Sequence, residues 1–258
     1  MTGEQLSPEK GIDMYRFFVD KSAVNDDIVT ITGSDVNHIK NVLRMRQGEE
    51  ILISDGEDRE YVCTIDELSA DEVVARIIDI NGTARELPIK VHLYQGLPKG
   101  DKMETVIQKM IELGAYRIIP VSTKRCVMKL DEKKADKKIV RWNAIAESAA
   151  KQSKRGIIPE VTMPMTFKQA LVDAADMEVV MIPYENAENM NYTREVVNSI
   201  KSGDNVAIFI GPEGGFADEE VQAAIDNGAK EITLGKRILR TETAGMTLMS
   251  VLMYQMEE

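Results

Sequence analysis

Residues 208–220 read IFIGPEGGFADEE, an apolar strand that runs straight into a glycine-rich turn and then an acidic helix start. Residues 234–245 follow with LGKRILRTETAG, a second strand-to-helix corner crowded with small residues. Glycines at such corners let backbone N–H and C=O groups approach a ligand closely and accept positive φ. One glycine-rich turn is ordinary loop punctuation. Two of them, at the carboxyl ends of buried strands in the same half of the chain, point to a ligand crevice of the open α/β type.

Outward from these corners, apolar runs at 89–94, 117–121, 179–183, 206–210 and 231–234 alternate with helical patterns. This alternation predicts a largely parallel sheet covered on both faces. Asp101 and Glu104 form a capping-box-like helix start, Met103, Val106, Ile107, Met110 and Ile111 supply its buried stripe, and Gly114 suits the left-handed position after its end. A helix over 132–155 is expected to bury Ala135, Ile139, Trp142, Ile145 and Ala149 and to stop before Gly156 and Pro159. The closing helix from Thr241 carries Met246, Met249, Met253 and Met256, a stripe assigned to core packing or subunit contact rather than to a cofactor.

The pattern changes near Leu87-Pro88. Before it lie short β-rich runs at 15–19, 27–31, 50–54, 59–66 and 72–80, interrupted by one helix with Ser34 as N-cap and Val36, Ile39, Val42 and Leu43 at helical spacing. A small, strongly curved sheet or barrel follows from this, joined through a polar linker.

The chain has 258 residues, enough for one small and one medium domain. No run of eighteen apolar residues occurs and the start lacks a secretory pattern, so a cytoplasmic protein without a membrane segment is expected. Only Cys63, Cys126, His38 and His92 are available as soft ligands or bases. Disulfide frameworks, metal centres and Ser-His-Asp triads therefore have little to build on, and no metal is expected.

Net charge is −11, which taken whole disfavours a nucleic-acid partner. Residues 99–155, however, carry 15 Lys+Arg against 7 Asp+Glu. A basic segment inside an acidic protein is what local phosphate attraction requires, although a solvated helix face gives the same count. The phosphate-loop pattern GxxxxGK[ST] and the dinucleotide pattern GxGxxG are both absent, and the first turn of the large region is GLPKGDK at 96–102. A ligand with little phosphate, held by backbone groups, fits these loops better.

The segments GLPKGDKMETVIQKMIELGA, Arg141-Trp142 with AESAAKQSKRGIIP downstream, IGPEGGFADEE and LGKRILRTETAG resemble the RsmE family of small-subunit ribosomal RNA methyltransferases, of the SPOUT superfamily. MYRFFVD at 14–20 and HIKNVLRMRQGE at 38–49 resemble that family's PUA-like RNA-binding domain. The resemblance spans nearly the whole chain from Met14 and implies an α/β fold with a SPOUT-type parallel sheet, a C-terminal trefoil knot and a small N-terminal PUA-like β-barrel. On this basis 1–13 is an N-terminal extension, 14–80 the RNA-binding domain, 81–87 the linker and 88–258 the methyltransferase domain. The implied reaction is methyl transfer from S-adenosyl-L-methionine to N3 of one uridine of 16S rRNA, near the decoding centre. The implied partners are 16S rRNA or the assembled small ribosomal subunit, and a second copy of the chain in a homodimer.

Carried onto this chain, the resemblance places the cofactor on Ile182, Pro183, Gly211, Pro212, Glu213, Gly214, Gly215, Leu234, Gly235, Ile238, Leu239, Arg240 and Thr243, with Leu234, Ile238 and Leu239 walling an adenine slot. In one departure, Lys151 precedes Gln152 where the family usually has an acidic residue, which favours a phosphate-contact role for this helix end.

Methyl transfer from a sulfonium needs donor and acceptor aligned and an N3 lone pair exposed. Ionising a group whose pKa lies about two units above the working pH costs about 3 kcal/mol, and a cation near O2 or O4 offsets part of it. Arg240, inside the cofactor loop, is the first candidate, with a structural ion pair to Glu242 or Glu213 as the alternative. Glu213 is a candidate proton acceptor, with capping of backbone amides as its alternative. Candidate RNA contacts are Arg16, Arg44 and Arg46 in the small region and Lys99, Lys102, Arg125, Gln152, Lys154 and Arg155 in the large one. A different RNA position, or an RNA-binding assembly factor without turnover, is compatible with the same residues.

Overall fold

The computed structural model of the chain describes residues 14–56, 59–82, 86–128, 130–187 and 189–257, so the expected extension at 1–13 and part of the expected linker lie outside the described residues. The chain divides into two compact units between residues 84 and 85, and each has its own core.

The first unit is a curled six-stranded sheet. Its strands are β1 (Arg16–Phe18), β2 (Val24–Asn25), β3 (Ile28–Thr32), β4 (Glu50–Ser54), β5 (Arg59–Leu68) and β6 (Glu72–Gly82), in the order β1-β4-β5-β6-β3-β2. Alternate residues point inward, as the period of a half-buried strand requires: Ile51 and Ile53, Tyr61, Cys63 and Ile65, Val73 and Ala75 are all buried. Register shifts at Val62/Cys63 and Ile65/Glu67 between β5 and β6 add the bend that curls the sheet.

Helix α1 (Ser34–Asn37) continues into a π turn over His38–Val42. Ser34 is not its N-cap, contrary to expectation; Gly33, at φ +75°, occupies that place without a side-chain bond. The chain turns out of β3 through a left-handed residue, which favours glycine over serine. The wider π turn, closed by Leu43 N–H to His38 O at 2.9 Å, also rotates Val42 out of the core, where it is 63% exposed.

The second unit is a parallel α/β layer structure. Its strands are β7 (Lys90–Gly96), β8 (Arg117–Ser122), β9 (Glu160–Val161), β10 (Met165–Thr166), β11 (Val179–Pro183), β12 (Asn205–Ile210) and β13 (Lys230–Ile232). All pair in parallel, in the order β10-β8-β7-β12-β11-β13, with β9 also on β8. The central pair, β7 and β12, is buried along almost its whole length, and the Tyr94 and Phe209 rings stack across it at 4.4 Å.

The helices are α2 (Lys102–Glu112), α3 (Glu132–Gln152), α4 (Phe167–Asp173), α5 (Met190–Asn198), α6 (Asp218–Asp226) and α7 (Thr241–Met256). Helix α2 buries its five expected apolar residues, and Gly114 takes φ +103° after its end. The capping box does not form, because Glu104 reaches Arg141 on α3 at 2.7 Å instead of the helix start. Helix α3 buries Ala135, Trp142, Ala146, Ala149 and Ala150, while Ile139 and Ile145 are only half-buried. On α7 the core face is Thr241, Gly245, Leu248, Met249 and Leu252; of the methionine stripe only Met249 is buried. After the edge strand β13, residues 234–240 cross back to the β12 and β7 corner, where Thr241 bonds both Gly211 and Gln95. This is the return path that the SPOUT-type fold expected from the sequence requires. Among the described residues no helix is long and apolar enough to cross a membrane.

Candidate active site

At the carboxyl ends of β11, β12 and β13 lies a cavity of about 1010 Å³, at the upper end of the size range of small-molecule sites. Residues 183–185, 210–216 and 233–241 line it, with Met190 and Lys102. Both glycine-rich corners therefore meet in one place. Of the residues expected to hold a cofactor, Pro183, Gly211, Pro212, Glu213, Gly214, Gly215, Leu234, Gly235, Ile238, Leu239 and Arg240 all line the cavity.

Two expected residues do not. Ile182 is fully buried in β11, whose two faces are both covered, and packs into the core one residue before the cavity begins. Thr243 is exposed in the first turn of α7, where its carbonyl accepts from Thr247 Oγ1 at 2.8 Å. Thr241, two residues earlier, does line the cavity. Its hydroxyl donates to Gly211 O at 2.5 Å and accepts from Gln95 Nε2 at 2.8 Å, so β7, the β12 corner and the start of α7 are fastened by one buried relay.

Gly96 is a further residue the sequence did not single out. A Cβ there would lie 2.6 Å from both the nitrogen and Cδ of Pro212 and 3.0 Å from the Gly211 carbonyl carbon. Only a glycine lets the end of β7 lie against the 211–215 loop so closely. Within that loop, a Cβ on Gly211 would meet the Gly215 backbone at 3.0 Å, so the loop folds tightly on itself. Bare backbone at four glycines with apolar walls from Pro183, Met190, Leu234 and Leu239 fits a nucleoside carrying little phosphate.

The loop is tied from two sides. Glu213 accepts from Lys99 N–H at 3.1 Å and from Lys102 Nζ at 2.9 Å, and Lys102 also lies 3.8 Å from Glu242. Desolvation pushes the Glu213 pKa up, but the Lys102 and Lys99 hydrogen bonds outweigh it and hold the carboxylate below its ordinary range. Arg125 Nη1 donates to Gly214 O at 3.0 Å. Buried Glu220 accepts from Lys124 N–H and from Ala217 N–H, each at 2.9 Å, which fixes the start of α6. Tyr184 donates to Asp218 at 2.9 Å, and that carboxylate, followed by burial, raises the phenol pKa.

Arg240 stands at the N-cap of α7, exposed on the cavity rim. Among the described residues it makes no ion pair; Lys102 takes both of the carboxylates expected as its partners. Lys236 and Arg237 share the rim, and neither figured among the expected RNA contacts.

Two expected RNA contacts are structural instead. The Arg16 side chain is 3% exposed and pairs with Glu60. The Arg155 side chain is 4% exposed, with Nε 2.8 Å from Glu86 and Nη1 donating to the Ile111 and Ala115 carbonyls at 2.8 and 3.1 Å. Each is buried inside its own unit, out of reach of a phosphate. Arg44, Arg46, Lys99, Arg125, Gln152 and Lys154 are exposed, and Lys102 is partly so. Among the described residues no cluster of three or more His, Cys, Asp or Glu is placed to hold a metal ion.

Comparison with known proteins agrees with this geometry. Residues 85–253 match the model of an RNA methyltransferase domain and residues 31–78 that of an RNA methyltransferase PUA domain. The chain is 39% identical over 250 residues to ribosomal RNA small subunit methyltransferase E of Bacillus subtilis, covering 95% of this chain and 98% of that protein. It is 36% identical over 237 residues to the protein of the same name from Mesomycoplasma hyopneumoniae, covering 92% and 98%. The crystal structure of ribosomal RNA small subunit methyltransferase E from Neisseria gonorrhoeae bound to S-adenosyl methionine superposes with a TM-score of 0.78 at 31% identity, covering 93% of this chain and 96% of that one. With its paired glycine corners, tied 211–215 loop and PUA-like sheet, the chain belongs to the RNA methyltransferase family whose members are named ribosomal RNA small subunit methyltransferase E.

Proposed function

We propose that this protein methylates N3 of one uridine of 16S rRNA, near the decoding centre of the small ribosomal subunit, with S-adenosyl-L-methionine as donor. The observation that carries the proposal is the single cavity formed where the two glycine corners meet, in a chain of this family. When bound, the donor supplies a methyl group made electrophilic by the adjoining sulfonium. Residues 88–258 form the methyltransferase domain and 14–80 the RNA-binding domain, in which Arg44 and Arg46 are exposed for phosphate contact.

The chain has three tasks. The backbone of 211–215 and 235, with Pro183, Leu234 and Leu239, binds the nucleoside part of the donor and excludes water from it. The Thr241 relay and the Lys102–Glu213 bond hold this surface in place before substrate arrives. Arg240, uncommitted on the rim, stabilises the negative charge that develops on the uracil oxygens as the N3 proton leaves for solvent. Glu213 is a loop tie rather than the base, since its oxygens are occupied and its proton affinity is lowered. The acting form is a homodimer in the cytoplasm, with the exposed Val251 and Tyr254 and the half-buried Met253 of α7 at the subunit contact.

Incubation of the purified protein with labelled donor and either free 16S rRNA or assembled small subunits, followed by nucleoside mapping, tests the assignment. Label on N3 of a single uridine is expected, and its absence from both substrates overturns it. Arg240→Gln should lower kcat about 100-fold or more, as loss of one charge-stabilising donor does, and leave donor affinity unchanged. Unchanged kcat would remove Arg240 from the chemistry.

A further inference from the structure

The loop from Lys236 to Arg240, KRILR, has two properties that donor binding leaves unexplained. Lys236, Arg237 and Arg240 are exposed, line the cavity, and among the described residues make no ion pair and no side-chain hydrogen bond. The other nearby cations are engaged: Lys102 of the rim with Glu213 and Glu242, and Arg125 behind the loop with the Gly214 carbonyl. Between the free cations stands Ile238, 89% exposed and the most exposed large apolar side chain among the described residues. It borders the cavity without being covered by it, so it is poorly placed as the adenine wall expected from the sequence.

The charge of the loop points to its occupant. A methyl donor of this kind carries a sulfonium and an ammonium against one carboxylate, so three unpaired cations repel it more than they hold it. RNA presents phosphates at every nucleotide, and the target base has to leave its stack to enter the cavity. Proteins that kink DNA frequently insert apolar wedges, isoleucine among them, between base steps and use basic side chains beside them.

We propose that Lys236, Arg237 and Ile238 form the RNA-opening tip of the site. The two cations grip the phosphates on either side of the target nucleotide, and Ile238 fills the gap that this nucleotide leaves in the base stack. This rests on the rRNA methylation proposed above and adds to it the residues that separate base extrusion from methyl transfer.

The experiment uses the full-length protein and an RNA hairpin spanning the mapped target, with 2-aminopurine next to the target uridine. Wild type should raise the 2-aminopurine fluorescence on binding, as the neighbouring base unstacks. Ile238→Ala should lose that rise and slow single-turnover methylation by roughly tenfold or more, because opening a step costs a few kcal/mol. Ile238→Leu should restore most of both signals. Lys236→Ala with Arg237→Ala should raise KM and make the salt dependence of RNA affinity shallower by about 1.4, at about 0.7 per single-strand phosphate. All variants should keep wild-type donor affinity by calorimetry and wild-type sedimentation. Weakened donor binding in Ile238→Ala would return the residue to the cofactor wall, and a changed sedimentation coefficient would make it a contact with a second copy; either overturns the proposal. So would an unchanged fluorescence rise with an unchanged salt slope. A wild type that transfers no methyl group to rRNA defeats the underlying function, whereas an active wild type with unaltered variants defeats only the tip.

Discussion

A methyl group added at Gly96 has nowhere to go, because Pro212 already lies 2.6 Å from where it would sit. Gly96→Ala must push the cofactor loop off β7, an overpacking that costs about 1–3 kcal/mol. Calorimetry should show donor affinity reduced about tenfold or more, while the first unit keeps its structure. Arg155 gives the opposite kind of prediction. Arg155→Met leaves Glu86 without its buried partner and should lower unfolding free energy in urea by about 3–5 kcal/mol, with no change in the salt slope of RNA binding. The sequence reveals that Arg155 and Arg16 are charged but not that their carboxylates wait 69 and 44 positions away. Arg44 and Arg46, named on the same information, are exposed. Gly96 was illegible for a related reason: its constraint is the proximity of a loop more than a hundred residues downstream.

At the scale of elements, α7 separates two stripes that run almost side by side. Leu248→Ala or Leu252→Ala on the buried face should cost about 2–5 kcal/mol, measured by urea unfolding. Met253→Ala, half-buried, should cost far less and should show its effect in sedimentation, since Met253 belongs to the proposed subunit contact. A helix apolar on most of its circumference has no single preferred face in its sequence, which is why the methionine stripe reads equally as core or as subunit contact. Helix α2 alternates cleanly between apolar and charged residues, and all five of its core positions were legible. Strands β9 and β10 have two residues each, too few for any period to register. The start of α4 carried a usable signal, Thr166 followed by Gln169, and that capping box forms.

At the scale of the molecule, the parallel sheet buries a histidine whose titration bears on stability. Burial, helped by the neighbouring Arg117, lowers the His92 pKa from 6.5 to about 4. Because the folded value is the lower one, the unfolded chain takes up the proton first as pH falls. The contribution of neutral His92 is complete above about pH 6.5 and is lost on the way down to about 4. The urea midpoint should therefore drop between pH 7 and 4.5, and His92→Phe should flatten part of that drop; an equal drop in both proteins would place its cause elsewhere. Strand order across the sheet carries a different kind of information. β7 lies between β8, made soon after it, and β12, which begins only at Asn205. At synthesis rates of about 5–20 residues per second, one flank of this buried strand stays bare for about 5–20 s while the ribosome makes the intervening chain. The newborn polypeptide must be shielded from its neighbours for that interval, and an enzyme that serves ribosomes is at its most vulnerable while still attached to one.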